Sequence, residues 1–104
     1  MTYRLIRYRT RPDQADENQK RVEAVFAELK ARAPQNVRYL VLRGADGRFF
    51  HLVGVESGSD ASPVTSLPAF SEFQKGLAER IMEPPESSDV TIVGNHRMLP
   101  GQHR

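Results

Sequence analysis

Val37-Arg38-Tyr39-Leu40-Val41-Leu42-Arg43, the turn Gly44-Ala45-Asp46-Gly47, and the run from Phe49 through Phe50-His51-Leu52-Val53 to Glu56 form the stretch whose reading decides the fold. Asp46-Gly47 supplies the positive-φ positions of a hairpin loop, and the flanking runs are rich in β-branched and aromatic residues, so the two segments should pair antiparallel. Their side chains are apolar on both sides. Val37, Tyr39 and Val41 oppose Leu40 and Leu42; Phe49, His51, Val53 and Val55 oppose Phe50 and Leu52. An antiparallel sheet with one wet face alternates apolar with polar, so this sheet calls for cover on each side.

Upstream, Tyr3 to Arg9 alternates as a strand, with Tyr3, Leu5, Arg7 and Arg9 on one face and Arg4, Ile6 and Tyr8 on the other. Thr10-Arg11-Pro12-Asp13 reads as a turn with Asp13 as the helix N-cap. Val22, Val25, Phe26, Leu29 and Ala33 recur at three- and four-residue steps, giving a first amphipathic helix that Pro34 stops. Downstream, residues 57–66 are polar and rich in Gly and Ser, and Pro63 predicts a surface loop without regular structure. A second helix is expected from Leu67-Pro68, capped by Thr65 or Ser66, with Phe70, Phe73, Leu77 and Ile81 as its stripe and Pro84-Pro85 as its end. A last strand is expected from Val90 to Val93, running on toward Arg97, with a loose tail over 100–104.

The order β-α-β-β-α-β is a split βαβ arrangement, an α+β fold in which both helices lie on one face of a four-stranded antiparallel sheet. Two helices roof one face only. At ~25 cal/mol per Å², a bare second face leaves many kcal/mol unclaimed, so a second copy of the chain is expected to cover it.

Composition bounds the chemistry. The 104 residues suit one domain, expected over 1–99. The absence of cysteine removes disulfides, thiolate metal sites and a cysteine nucleophile. A net charge of +2 gives no electrostatic case for nucleic acid or membrane binding. No apolar run reaches the ~20 residues of a bilayer span, and a cytoplasmic protein is expected.

Among residues able to carry chemistry, His51 shares its strand face with Phe49 and Val53. An apolar setting keeps imidazole neutral, as a general base requires, although a lone strand histidine is more often a packed core residue. The sequence leaves open which sheet face it occupies. Tyr39 and Tyr8 offer phenols to orient a ring substrate, and Phe70 and Phe73 could wall a flat ligand beside their ordinary core role. Arg7, Arg9 and Arg43 could hold an anion in one cavity or pair with Asp16 or Glu56 at strand ends. His96 and His103 form no metal-ligand spacing with His51, so no metal site is expected. The order of elements also suits an RNA-recognition motif, but Arg48-Phe49-Phe50-His51-Leu52-Val53 lacks the glycine-spaced aromatic pattern.

Tyr3-Arg4-Leu5-Ile6-Arg7-Tyr8, Val25-Phe26-Ala27-Glu28-Leu29, Phe50-His51-Leu52-Val53 and Leu67-Pro68-Ala69-Phe70-Ser71-Glu72-Phe73 resemble the dimeric α/β-barrel superfamily, and within it the antibiotic-biosynthesis-monooxygenase-like proteins. That resemblance implies ferredoxin-like protomers joined sheet to sheet as a homodimer, each with a pocket between its own sheet and helices. The Asn, Trp and His set of haem-degrading relatives is not matched, since the chain has no tryptophan. The resulting expectation is a monooxygenase-like protein without metal or other cofactor, acting on a small aromatic or hydrophobic molecule. His51 and Tyr39 are its catalytic candidates, and Tyr8, Arg7, Phe70 and Phe73 its substrate contacts. The alternative is a non-catalytic homodimer that binds a small ligand or serves as a structural or regulatory module.

Overall fold

In a computed structural model, residues 1–99 are described; the expected tail over 100–104, with His103, lies outside them. β1 (Thr2–Thr10) leads through a 3-10 turn at Pro12–Gln14 into α1 (Ala15–Arg32), which is followed by β2 (Val37–Arg43) and β3 (Arg48–Val55). Three short helices, α2 (Ser62–Thr65), α3 (Pro68–Gln74) and α4 (Leu77–Arg80), precede β4 (Ile81–Val90). The strands form one antiparallel sheet in the order β2-β3-β1-β4, the α+β ferredoxin-like arrangement.

The hairpin forms as read, with Gly47 at φ 88° and Arg43 paired to Phe49 across the turn. Register then sorts the faces. Ile6, His51 and Val41 stand abreast, as do Leu5, Leu52 and Leu40 on the opposite side. The helix side holds the core: Phe49, Val25, Leu67, Val64 and Phe73 are all under 5% exposed, and Tyr8 joins them. The other side carries Leu40 and the largely exposed Leu42.

Four local expectations are corrected. Asp13 does not cap α1: the chain makes a 3-10 turn there, and Gln14 occupies the cap position without a side-chain bond. Pro63 starts α2 instead of preventing it, because a missing N–H costs nothing in a first helical turn. The second helix is interrupted at Lys75, which is extended, and Gly76, which takes φ 74°. The last strand runs over Ile81–Val90, so Pro84-Pro85 lies within a strand and does not end a helix. Both prolines fall where the β1–β4 register shifts, on the sheet edge, where an absent N–H breaks no inner ladder. Past Val90 the chain has no regular structure up to Leu99, and Met98 and Leu99 share a cavity of ≈360 Å³ with Tyr3, Leu40 and Leu52 on the outer face.

Candidate functional site

β3 carries His51 at mid-strand on the helix side, 4% exposed. The neighbouring strands bring a phenol to each ring nitrogen. Tyr8 Oη of β1 lies 2.8 Å from His51 Nε2, and Tyr39 Oη of β2 lies 2.6 Å from Nδ1. Phe73 of α3 roofs the imidazole with ring centroids 5.6 Å apart. Phe49 stacks on Tyr8 at 5.7 Å, and Phe26 of α1 stacks on Tyr39 at 5.0 Å. Offset aromatic contacts of this kind add to area burial and fix ring orientation.

The row continues inward through two residues that sequence reading did not assign. Asn18 of α1, fully buried, donates from Nδ2 to Tyr8 Oη at 2.9 Å and accepts at Oδ1 from Arg80 Nε at 3.1 Å. Asn18 sits one turn ahead of Val22 on the same helical stripe, a polar residue on an apolar face, and that was its signal. Arg80, 4% exposed, has none: the Gly76 break turns it back so that Nη1 reaches Lys75 O at 3.0 Å and Nη2 reaches Phe73 O at 2.7 Å. These carbonyls end α3 and would otherwise be orphaned. The guanidinium also lies 5.4 Å from the Phe73 ring centroid.

Burial sets the charge state. Desolvation lowers the His51 pKa from 6.5 to about 4. Tyr8 is pushed up to about 12 by the same cause, against the opposing pull of its Asn18 hydrogen bond and the Arg80 charge. Tyr39 is raised by burial and by Tyr8. At neutral pH the Tyr8–His51–Tyr39 row is therefore uncharged.

Of this row, Tyr39 also lines a groove. A depression of ≈290 Å³ between α1 and β2 has Phe26, Leu29, Lys30, Val37 and Tyr39 in its walls. A second, of ≈460 Å³, lies on the other side of Phe26 between Val22, Glu23, Arg43 and Phe49. The structure thus gathers Tyr8, Tyr39, His51 and Phe73 into one cluster, with Phe70 against Phe73 at 5.9 Å. Arg7 stands apart, on the opposite sheet face from His51, paired with Glu86 of β4 at 2.9 Å. Nor do Arg7, Arg9 and Arg43 share a cavity: Arg43 lies on the helix side, bonded to Asp16 and Gln19 and facing the Phe49 ring. Among the described residues, no cluster of three or more His, Asp or Glu could hold a metal ion. No helix among them is long and apolar enough to cross a membrane.

No protein-family model matches the chain, and no curated protein does. Solved structures do match in fold. A candidate antibiotic biosynthesis monooxygenase from Nitrosomonas europaea superposes with a TM-score of 0.71 at 16% identity, covering 88% of this chain and 89% of that one. The Rv0793 protein of Mycobacterium tuberculosis gives 0.71 at 16% identity, covering 90% and 96%. A further candidate antibiotic biosynthesis monooxygenase, from Caulobacter crescentus, gives 0.70 at 15% identity, covering 89% and 90%. The chain therefore has the ferredoxin-like fold of these proteins. At such identities the likeness speaks for the backbone and leaves the chemistry to the site.

Proposed function

We propose that this chain is a monooxygenase-like protein that works as a homodimer, without metal or organic cofactor, on a small aromatic or hydrophobic molecule seated beside Tyr39. The observation that carries this reading is the uncharged, hydrogen-bonded row Tyr8–His51–Tyr39 laid under aromatic rings. Buried polar groups cost free energy unless paired, and a core serving packing alone is filled more cheaply with aliphatic side chains. Tyr39 is one of the residues lining the α1–β2 groove, and Phe26, stacked on it, offers a flat ring partner. Lys30 at the groove wall favours a ligand with anionic character.

A substrate of this kind supplies its own electrons. Bound as an anion whose acidic C–H proton has already gone to water, it reduces dioxygen directly. One oxygen atom replaces two hydrogens at that carbon as a carbonyl, and the other leaves as water. The protein's share is to bind the ring, exclude water and hold the ionised oxygen of the conjugated system.

The homodimer is supported by the outer face, where Leu40 is 38% and Leu42 56% exposed beside half-buried Phe50 and Leu52. A second reading, ligand binding without turnover, is favoured by one observation: His51 is buried and both its ring nitrogens are taken by phenols. Oxygen uptake with a panel of phenolic and polycyclic substrates, comparing wild type with Tyr39→Phe and His51→Ala, decides between them. Uptake that falls in the variants supports turnover. No uptake by any form, with an aromatic ligand retained in native mass spectrometry, supports the second reading.

A further inference from the structure

We infer that Arg80 determines which nitrogen of His51 carries the proton and thereby makes the Tyr39 hydroxyl a hydrogen-bond donor toward the groove. The ligand half of this inference rests on the function proposed above; the tautomer half does not. Arg80 has donors only. Its Nε at 3.1 Å therefore faces the oxygen of the Asn18 amide, which turns the amide N–H toward Tyr8 Oη at 2.9 Å. Arg80 cannot swing away, because its two terminal nitrogens are bonded to Lys75 O and Phe73 O.

Direction then propagates along the row. Tyr8 Oη accepts from Asn18, so its one hydrogen goes to His51 Nε2 at 2.8 Å, which must be unprotonated. A neutral imidazole holds its proton on the other nitrogen, and Nδ1–H donates to Tyr39 Oη at 2.6 Å. Tyr39 accepts from within, and no other residue among those described takes its own hydrogen. The reverse polarity would make Tyr8 accept twice and strand its hydrogen in the core, where an unmade bond is penalised in full.

Two consequences follow. His51 has no free lone pair for a substrate proton, so it is a positioning residue for Tyr39 and not a base. The ligand class narrows to molecules presenting an acceptor oxygen to Tyr39, such as a phenolate, an enolate or a quinone carbonyl.

The test is the protonation of the His51 ring nitrogens, read by ¹⁵N NMR on histidine-labelled protein near pH 7.5 and assigned by loss of the signals in His51→Gln. Wild type is expected to show Nδ1 protonated and Nε2 bare; a protonated Nε2 overturns the proposal with no variant needed. Asn18→Asp removes the N–H facing Tyr8 and puts an acceptor there, so Tyr8 should donate to the carboxylate and the His51 proton should move to Nε2. An unchanged tautomer in that variant refutes Arg80 and Asn18 as the cause. If the buried carboxylate prevents folding, Tyr8→Phe serves: without the phenol's hydrogen, the single Nδ1–H state should give way to a mixture, and its persistence refutes the relay. With 4-nitrophenolate, largely ionised at this pH, as probe, Asn18→Asp should weaken binding on the order of tenfold, the worth of one charge-assisted hydrogen bond. Unchanged affinity overturns the ligand half alone. Loss of oxygen uptake bears only on the function proposed above, since the NMR readout needs no turnover.

Discussion

Lowering the pH should destabilise this protein through His51, and the size of the effect is set by its burial. Unfolded, the imidazole binds a proton near pH 6.5; folded, desolvation holds it neutral down to about pH 4. Between these values the unfolded chain carries the extra proton, so stability falls as pH falls. Above pH 6.5 neither state is protonated and the group contributes nothing to the pH dependence. The displacement from 6.5 to about 4 corresponds to about 3 kcal/mol once pH drops below the folded value, and about 2 kcal/mol of that is lost by pH 5. His51→Gln keeps a donor and an acceptor at this position but cannot titrate, and carboxylates elsewhere cancel in the comparison. Urea unfolding of wild type and His51→Gln at fixed protein concentration should show the wild-type advantage shrinking by about 2 kcal/mol from pH 7.5 to 5, roughly 1 M in midpoint. A gap that stays constant over that range would mean that His51 protonates freely in the folded state, and the closed row would be wrong.

Tyr8→Phe leaves both Asn18 Nδ2 and His51 Nε2 without a partner in the core, whereas Tyr39→Phe removes one bond at a half-buried position. The first should cost about 2–4 kcal/mol and the second about 1 kcal/mol in urea unfolding, and the reverse order would count against the network. Gly54→Ala should destabilise by about 1–3 kcal/mol on thermal denaturation, since a Cβ there would sit 2.5 Å from Cε1 of the buried Tyr3 ring; a neutral result would mean that the ring moves aside. Arg80→Met strips donors from Asn18 and from both carbonyls that end α3 and should cost about 3–5 kcal/mol, with hydrogen exchange quickening first in Pro68–Gln74. Sedimentation at micromolar concentration should give twice 11.8 kDa, reduced toward one protomer by Leu42→Glu on the outer face; a wild-type monomer would refute the dimer.

The hairpin was legible because period-2 runs and an Asp-Gly turn depend on local residues alone. His51, Tyr39 and Tyr8 were legible as candidates from residue type and strand parity, yet their meeting was not: it needs β1 and β2 to flank β3, a register fixed only by packing. Asn18 could have been picked out as the polar member of an apolar stripe. Arg80 could not, because its position depends on the helix break at Gly76, which the apolar spacing of Phe73, Leu77 and Ile81 conceals. Pro84-Pro85 misled in the opposite way: prolines that end helices are equally at home on an outermost strand, and nothing nearby in the sequence says which applies.

The same prolines govern how copies of this chain can meet. Backbone N–H groups along an outermost strand are what an incoming chain grips when sheets extend sideways or fibrils nucleate. β4 offers two adjacent residues with no N–H to grip, set between the acidic Glu83 and Glu86. Strand addition is disfavoured on that flank, so the proposed homodimer is expected to form through the sheet face and not through this edge.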